Sequence, residues 1–369
     1  MKIVYKRKRS KPLCLNGDSL FFYSKNKFFM MDLRTFKHDE IGKIDRGFLR
    51  NILSRSRIIE RILRLEPGFS IYVSDKEILI PIKGALYSFN LDSGSLTIQH
   101  KFRPEMRTYL SAVKIENVYG FTDGVYFGEY FNNPDRKEVR VWRRKKADNS
   151  KWEVAYTFEK GTINHIHTLV VDKYRDCVWI LTGDFDKAAG FWIATDDFRS
   201  VEPAVIGKQE YRSCAAFALP KGILYATDTQ LEANSIRFLR KVGSIFESEK
   251  LYDLEGSCIY SCAVGESYFF STAVEPASEG KSKLDLISYR RGKGIKSWNS
   301  EIVMGNLQEG FKRIAIFEKD ILPMGLCQFG TVIFPSIQSN PADLICQGVG
   351  LKKIDGKMMI IEYDGNEHE

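Results

Sequence analysis

Two histidines set two apart, in Gly161-Thr-Ile-Asn-His-Ile-His, form the spacing in this chain with the most chemical potential. Side chains alternate along a β-strand, so on a regular strand His165 and His167 share a face. Facing one space, such a pair can divide general acid and base roles, or ligate a metal with a nearby carboxylate. The competing arrangement has one ring buried and hydrogen-bonded and the other on a rim. The chain has five histidines, and His38, His100 and His368 lie in no comparable grouping.

Other polar groups recur in the same middle region. Asp184 and Asp186, in Thr-Gly-Asp-Phe-Asp, follow an apolar run; they can ligate a cation, hold a sugar hydroxyl, or simply cap backbone N–H groups of a turn. Tyr211 and Arg212 fall where the next strand opens, as Asn164 and His165 do one unit earlier. An arginine there can grip a carboxylate through a bidentate fork, and the adjacent tyrosine can act as a base in β-elimination. An inter-unit salt bridge is the alternative for that arginine. Glu129 and Glu275 each follow a strand and would suit a glycosidase carboxyl pair. The expected catalytic set is therefore His165, His167, Tyr211, Arg212 and Glu129. The expected substrate contacts are Tyr130, Asp184, Asp186, Gln209, Asp228, Asn234 and Glu275. No cofactor is expected, with a metal at His165 and His167 left open.

These residues need a frame, and the chain repeats one. Gly17-Asp-Ser-Leu-Phe-Phe-Tyr-Ser followed by Lys27-Phe-Phe-Met-Met-Asp-Leu is echoed by Asp75-Lys-Glu-Ile-Leu-Ile-Pro-Ile-Lys-Gly and Ala85-Leu-Tyr-Ser-Phe-Asn-Leu-Asp. A polar turn opens an apolar strand, and a second turn and strand follow, which is the pattern of a hairpin. Similar pairs recur at roughly 45- to 55-residue spacing to the end of the chain, the period of a blade repeat. The expectation is an all-β protein: a β-propeller of about seven four-stranded blades, with six possible, forming one domain over 1–369. The strand Lys2-Ile-Val-Tyr-Lys is placed to complete the last blade and close the ring.

One segment departs from this pattern. From Phe48 to Leu65, Leu49, Ile52, Leu53, Ile59, Ile62 and Leu63 fall near one helical face, opposite Arg50, Arg57, Arg61 and Arg64. It is expected to be a short inserted amphipathic helix docked between blades; a basic amphipathic helix can also lie on a membrane.

Composition narrows the partners. The formal net charge of +8 is mild for 369 residues and is concentrated at Lys2, Lys6, Arg7, Lys8, Arg9 and Lys11, which reads as a solvated basic terminus. No nucleic-acid-binding motif is present, so nucleic acid is not an expected partner. Seven scattered cysteines without a CxxC read as buried free thiols. With no apolar leader and no run approaching the roughly 18 residues of a spanning helix, a cytoplasmic protein without membrane contact is expected. Phosphate-loop, GxSxG, HExxH and zinc-cysteine patterns are all absent.

Val141-Trp-Arg-Arg-Lys-Lys-Ala-Asp-Asn-Ser-Lys-Trp-Glu and Phe191-Trp-Ile-Ala-Thr-Asp-Asp-Phe-Arg-Ser-Val-Glu each resemble a degenerate Asp-box. The first keeps Asp148 and Trp152, the second Thr195 and Asp197. Residues 115–280 are similar to sialidase-like (Asp-box, or BNR) propellers of the kind found among surface-polysaccharide genes. In that family the Asp-box is a structural turn far from the active site, so the resemblance implies architecture and a saccharide context. The Arg-Ile-Pro signature of true sialidases is absent, which argues against sialidase chemistry. The function expected is hydrolysis or elimination of an acidic saccharide at a site in the central channel. A non-catalytic glycan-binding or scaffold propeller is the alternative.

Overall fold

The computed structural model describes all residues except 1, 46, 48–50, 52, 55, 149–150, 185, 278–286, 288, 338–340 and 363–369, and of residue 186 it describes only the backbone. Short apolar runs punctuated by turns pair in sequence as antiparallel sheets. The first four-strand set is β2–β5 (Lys11–Asn16, Ser19–Ser24, Lys27–Asp32, His38–Lys43), and the second β6–β9 (Ile71–Ser74, Glu77–Ile82, Ala85–Asn90, Leu96–Lys101). The third is β10–β13 (Ala112–Ile115, Gly124–Gly128, Val139–Lys145, Glu153–Phe158), and the fourth β14–β17 (His165–Asp172, Cys177–Gly183, Gly190–Thr195, Ser200–Ile206). The fifth is β18–β21 (Ser213–Leu219, Gly222–Thr227, Asn234–Val242, Ile245–Leu254), and the sixth β22–β25 (Ser257–Val264, Ser267–Val274, Asn299–Asn306, Gly310–Glu318). The last comprises β26 (Gly330–Ile333), β28 (Leu344–Val349), β29 (Lys357–Glu362) and the N-terminal β1 (Lys2–Lys8), while the short β27 (Ser336–Ile337) lies parallel to β2.

The first strand of each set touches the first strand of the next, from β2 round to β26, which is the arrangement of a β-propeller. β1 pairs antiparallel with β29, so the chain's beginning closes the ring against its end. The last two sets are joined into one sheet by Ala273↔Thr331 and Val274↔Gly330. Among the described residues there are seven such sets, which form six continuous sheets.

Burial follows radial position. The second strands β11, β15 and β19 are buried along their whole length, as expected between two packed neighbours. The outermost β5, β9, β17 and β25 carry only half-buried and exposed residues. The apolar core lies between adjacent sheets; Phe127 and Val141 of the third, for example, share a cluster with Ile166 and Val178 of the fourth. In the first six sets the outer pair carries a register shift, a bulge that twists the exposed edge away from further pairing.

The inserted helix is present, and its charged side is the buried one. Helix α1 (Arg57–Leu63) is capped by Ser56, and its buried residues are Glu60 and Arg61, while Ile58 is half exposed. Arg61 donates from Nε to the Cys327 carbonyl (2.7 Å) and pairs with Asp320 and Asp355. Arg57 binds Glu60, Glu66 and Asp355. Carboxylates from distant loops meet the charged face, so ion pairs hold the helix while Ile59 and Ile62 are half-buried. Leu49, Arg50 and Ile52 lie outside the described residues. No helix among the described residues is long and apolar enough to cross a membrane.

Asp197, in the second Asp-box-like segment, accepts from the Thr122 N–H and hydroxyl and from Arg143, tying the fourth sheet to the third. This is a structural tie between blades. All seven cysteines are free, six buried and Cys214 half-buried.

Candidate functional site

A cavity of about 650 Å³ collects inward residues from several sheets, and it holds His165, His167, Asp184, Arg212, Asp228 and Glu275. Two features of the strands put them there. The three carboxylates occupy equivalent places, each the residue after the second strand of its set: Asp184 after β15, Asp228 after β19, Glu275 after β23. The second feature is a bulge in the innermost strand. In β14 the register shifts between Ile166 and Thr168, leaving His167 without a cross-strand partner, and in β18 the same shift leaves Cys214 unpaired. A bulge re-aims its extra side chain.

The two rings have fixed tautomers. Nδ1 of His165 lies 2.9 Å from the Phe131 carbonyl oxygen, and Nδ1 of His167 lies 3.0 Å from that of Ser213. A carbonyl has no proton to give, so each Nδ1 carries the hydrogen and each neutral ring keeps a lone pair at Nε2. Those two Nε2 atoms stand 3.0 Å apart, with Asp184 Oδ1 at 3.3 Å from one and 3.1 Å from the other. Three electron-rich atoms this close repel unless a proton or a metal ion sits among them. A cation about 2.2 Å from each of three ligands at right angles would set them about 3.1 Å apart, so the spacing fits one face of an octahedron. Gly183 makes room for this, since a Cβ there would fall 2.2 Å from the His167 ring. Tyr130 packs on His165 with ring centroids 4.5 Å apart.

Arg212 is the buried cation of the site. Its Nη2 lies 3.0 Å from Asp184 Oδ1 and 3.8 Å from Asp228 Oδ2, and its Nη1 donates to Gln230 Oε1 at 3.0 Å. Burial opposes its charge, but Asp228, Asp184 and Glu275 outweigh burial and raise its pKa. Burial likewise works against the Asp184 carboxylate, yet His165 and Arg212 hold it well below the usual range. Glu275 behaves in the opposite sense. Burial and then the Asp228 charge push its carboxyl up to about 8, although the Ser257 hydroxyl donates to it at 2.6 Å. Asp228 accepts from the Cys214 thiol at 3.1 Å through Oδ2, and its Oδ1 is buried with no hydrogen-bond partner.

The remaining sequence candidates sit elsewhere. Glu129 follows β11 and so holds the same blade position as the other three carboxylates, but it is not at the cavity. It accepts from Trp142 Nε1, the Arg140 N–H and Arg103, which makes it a tie within the third sheet. Tyr211 packs against the cluster of Leu181, Phe191 and Tyr225, and the tyrosines that line the cavity are Tyr109, Tyr130 and Tyr260. Asn234 is fully buried and pins the loop after β19 through Thr227, Thr229 and Gly294. Gln209 donates to the Asp184 main-chain oxygen and accepts from Thr229, supporting the loop rather than facing the cavity. The Asp186 side chain lies outside the described atoms.

Cys214, Gln230, Ser257, Tyr260 and Lys11 were not read as site residues from the sequence. Lys11, assigned there to a solvated terminus, lines the cavity and donates to the Pro67 carbonyl, and burial lowers its pKa against the pull of Glu66. The available signal was position: Cys214 stands two residues after Arg212, and Ser257 opens the hairpin whose second strand ends just before Glu275.

No protein-family model and no curated protein sequence matches the chain. Among solved structures it is similar to an oligogalacturonate lyase in complex with manganese, at 11% identity and TM-score 0.53 over 95% of this chain and 88% of that one. An oligogalacturonate lyase from Vibrio parahaemolyticus aligns at 12% identity and TM-score 0.57 over 98% and 91%. The AfRom2 CNH domain aligns comparably, at 7% identity and TM-score 0.53 over 98% and 99%. Such distant similarities establish the β-propeller fold, and nothing among them singles out the sialidase-like group.

Proposed function

We propose that the cavity binds an acidic saccharide and that the chain is a metal-assisted polysaccharide lyase. The observation that carries this reading is the convergence of the His165–His167–Asp184 group and the buried Arg212 in one cavity. His165 Nε2, His167 Nε2 and Asp184 Oδ1 would hold a divalent cation, which when bound would neutralise a uronate carboxylate and acidify the adjacent C–H. Arg212 adds a fixed positive charge beside the same place, and Tyr130 offers an aromatic face for a sugar ring. The oligogalacturonate lyases among the structural neighbours are consistent with this reading in ligand class and, for one of them, in metal.

The chain's own groups can move the two protons that elimination requires. Asp228, whose Oδ1 has no donor, takes the proton α to the carboxylate. A C=C bond forms as the bond to the leaving glycosidic oxygen breaks, and that oxygen takes the proton that Glu275 retains below about pH 8. Solvent then restores both carboxyls. Hydrolysis by the same acid and base would require a water to replace the departing sugar.

The test pairs metal analysis with a panel of uronate- and sialate-containing oligosaccharides. Mn²⁺ binding followed by paramagnetic resonance should be lost in His165→Ala and His167→Ala. New ultraviolet absorbance from an unsaturated uronate supports the lyase reading, and reducing ends without it turn the reading to hydrolysis. Saccharide binding without either product leaves a non-catalytic glycan-binding propeller.

A further inference from the structure

We propose that the cavity contains a second cation position, for a thiophilic divalent ion such as Zn²⁺ or Cd²⁺, formed by His167 Nε2, Cys214 Sγ and a carboxylate oxygen of Asp228. It goes beyond the saccharide reading and stands without it. One ligand atom from each of these three residues lies within 4.8 Å of the other two. A tetrahedral ion bound at about 2.1 Å to nitrogen and about 2.3 Å to sulfur sets such atoms about 3.6 Å apart, so modest side-chain rotation closes the set.

Each ligand is prepared by something specific. The hydrogen bond from His167 Nδ1 to the Ser213 carbonyl leaves the lone pair on Nε2. Ser213 precedes Cys214 on the same strand, so one segment both orients the imidazole and presents the thiol. Cys214 is the bulge residue of β18 and the cysteine that is not fully buried. Asp228 is 4% exposed, and its Oδ1 is a buried carboxylate oxygen with no hydrogen-bond partner. Buried acceptors are rarely left in that state, and a cation would satisfy this one. On binding, the thiol proton now donated to Asp228 Oδ2 leaves to solvent and the thiolate takes the metal, so one proton is released per ion.

Ligand type separates the two positions. Two imidazoles and a carboxylate suit a harder ion, whereas imidazole, thiolate and carboxylate favour a softer one. His167 offers a single lone pair at Nε2, so it serves one position at a time. A thiophilic ion therefore withdraws His167 from the first position and occupies Asp228.

Titration of metal-free protein with Cd²⁺ alone reads this directly. The expected result is an ultraviolet sulfur-to-cadmium charge-transfer band that saturates at one equivalent and is absent from Cys214→Ser, with folding checked by circular dichroism. Asp228→Asn should weaken Cd²⁺ at least about tenfold. Mn²⁺ binding should survive in Cys214→Ser, and Cd²⁺ should displace Mn²⁺ from the wild-type protein but not from that variant. No band at one equivalent, or a band unchanged in Cys214→Ser, overturns the proposal. Failure of the wild-type protein to bind Mn²⁺ while the Cd²⁺ band is present counts against the His165–His167–Asp184 reading alone.

Discussion

Replacing Glu275 by glutamine tests how the cavity is charged. Burial first, then the charge of Asp228, push the Glu275 carboxyl from an ordinary 4.5 up to about 8, against Ser257 and Arg212. A group whose folded pKa is raised contributes its stability fully below the unfolded value and loses it as pH rises through the folded one. Between about pH 4.5 and pH 8 the unfolded chain releases a proton that the folded chain keeps, so stability falls across that window. Glutamine cannot ionise, and it can still accept the Ser257 hydroxyl. Linkage between the two values gives Glu275→Gln a gain of about 4 kcal/mol over the wild type between pH 5 and pH 9, nearly all of it by pH 8. For a chain of this size that is about 5 °C in Tm. Thermal unfolding of both proteins by circular dichroism, in steps across that range at constant ionic strength, measures it. Parallel profiles, with the difference in Tm constant to within about 1 °C, would mean that Glu275 is already ionised at neutral pH. The proton assigned to it in the elimination step would then not be there.

Two further substitutions probe what holds the site and the fold. Gly183→Ala should displace the His167 ring and lower Mn²⁺ affinity by about 10- to 100-fold with unchanged circular dichroism; unchanged affinity would show that the ring position is not critical. Arg61→Ala should destabilise the protein by about 3 kcal/mol in urea unfolding, the low end for breaking a buried ion pair, because Asp320 keeps Lys319 and Asp355 keeps Arg57. A loss below about 1 kcal/mol would mean that helix α1 is held by other contacts.

The fold was readable because propeller strands are short, apolar and repeated, and hairpins leave their mark within a few residues. The pairing of β1 with β29 could be anticipated from the same pattern. What the sequence left unseen depended on distant partners. Within the periodic stretch 48–65 the described helix is Arg57–Leu63, and Asp320 and Asp355, more than 250 residues away in sequence, pair with its charged face. Tyr211 adjoins Arg212 in sequence, yet the short turn at Gln209–Tyr211 sends its ring outward into an apolar cluster. The same turn leaves Arg212 pointing inward. For His165 and His167 the spacing-of-two argument reached a shared space for an incomplete reason, because the strand is not regular at His167.

That irregularity explains why chemistry is concentrated in these sheets and not in others built alike. The innermost strand carries a one-residue bulge in at least five sets, and the extra residues are Leu13, Val73, His167, Cys214 and Ile259. A bulge side chain escapes the alternation of its strand, so its identity can change without disturbing the ladder around it. Leu13 and Val73 join apolar clusters and Ile259 gives the cavity an aliphatic wall, whereas histidine or cysteine at the same position brings a ligand atom to it. The carboxylate after the second strand follows the same logic with the opposite exception. Asp184, Asp228 and Glu275 reach the cavity, whereas Glu129 is held back by Trp142 and Arg103. The site therefore lies where both repeated positions carry reactive side chains at once, in the fourth and fifth sets, with Glu275 of the sixth at its edge. His165, which opens β14 beside the bulge, is the one ligand that neither repeated position supplies.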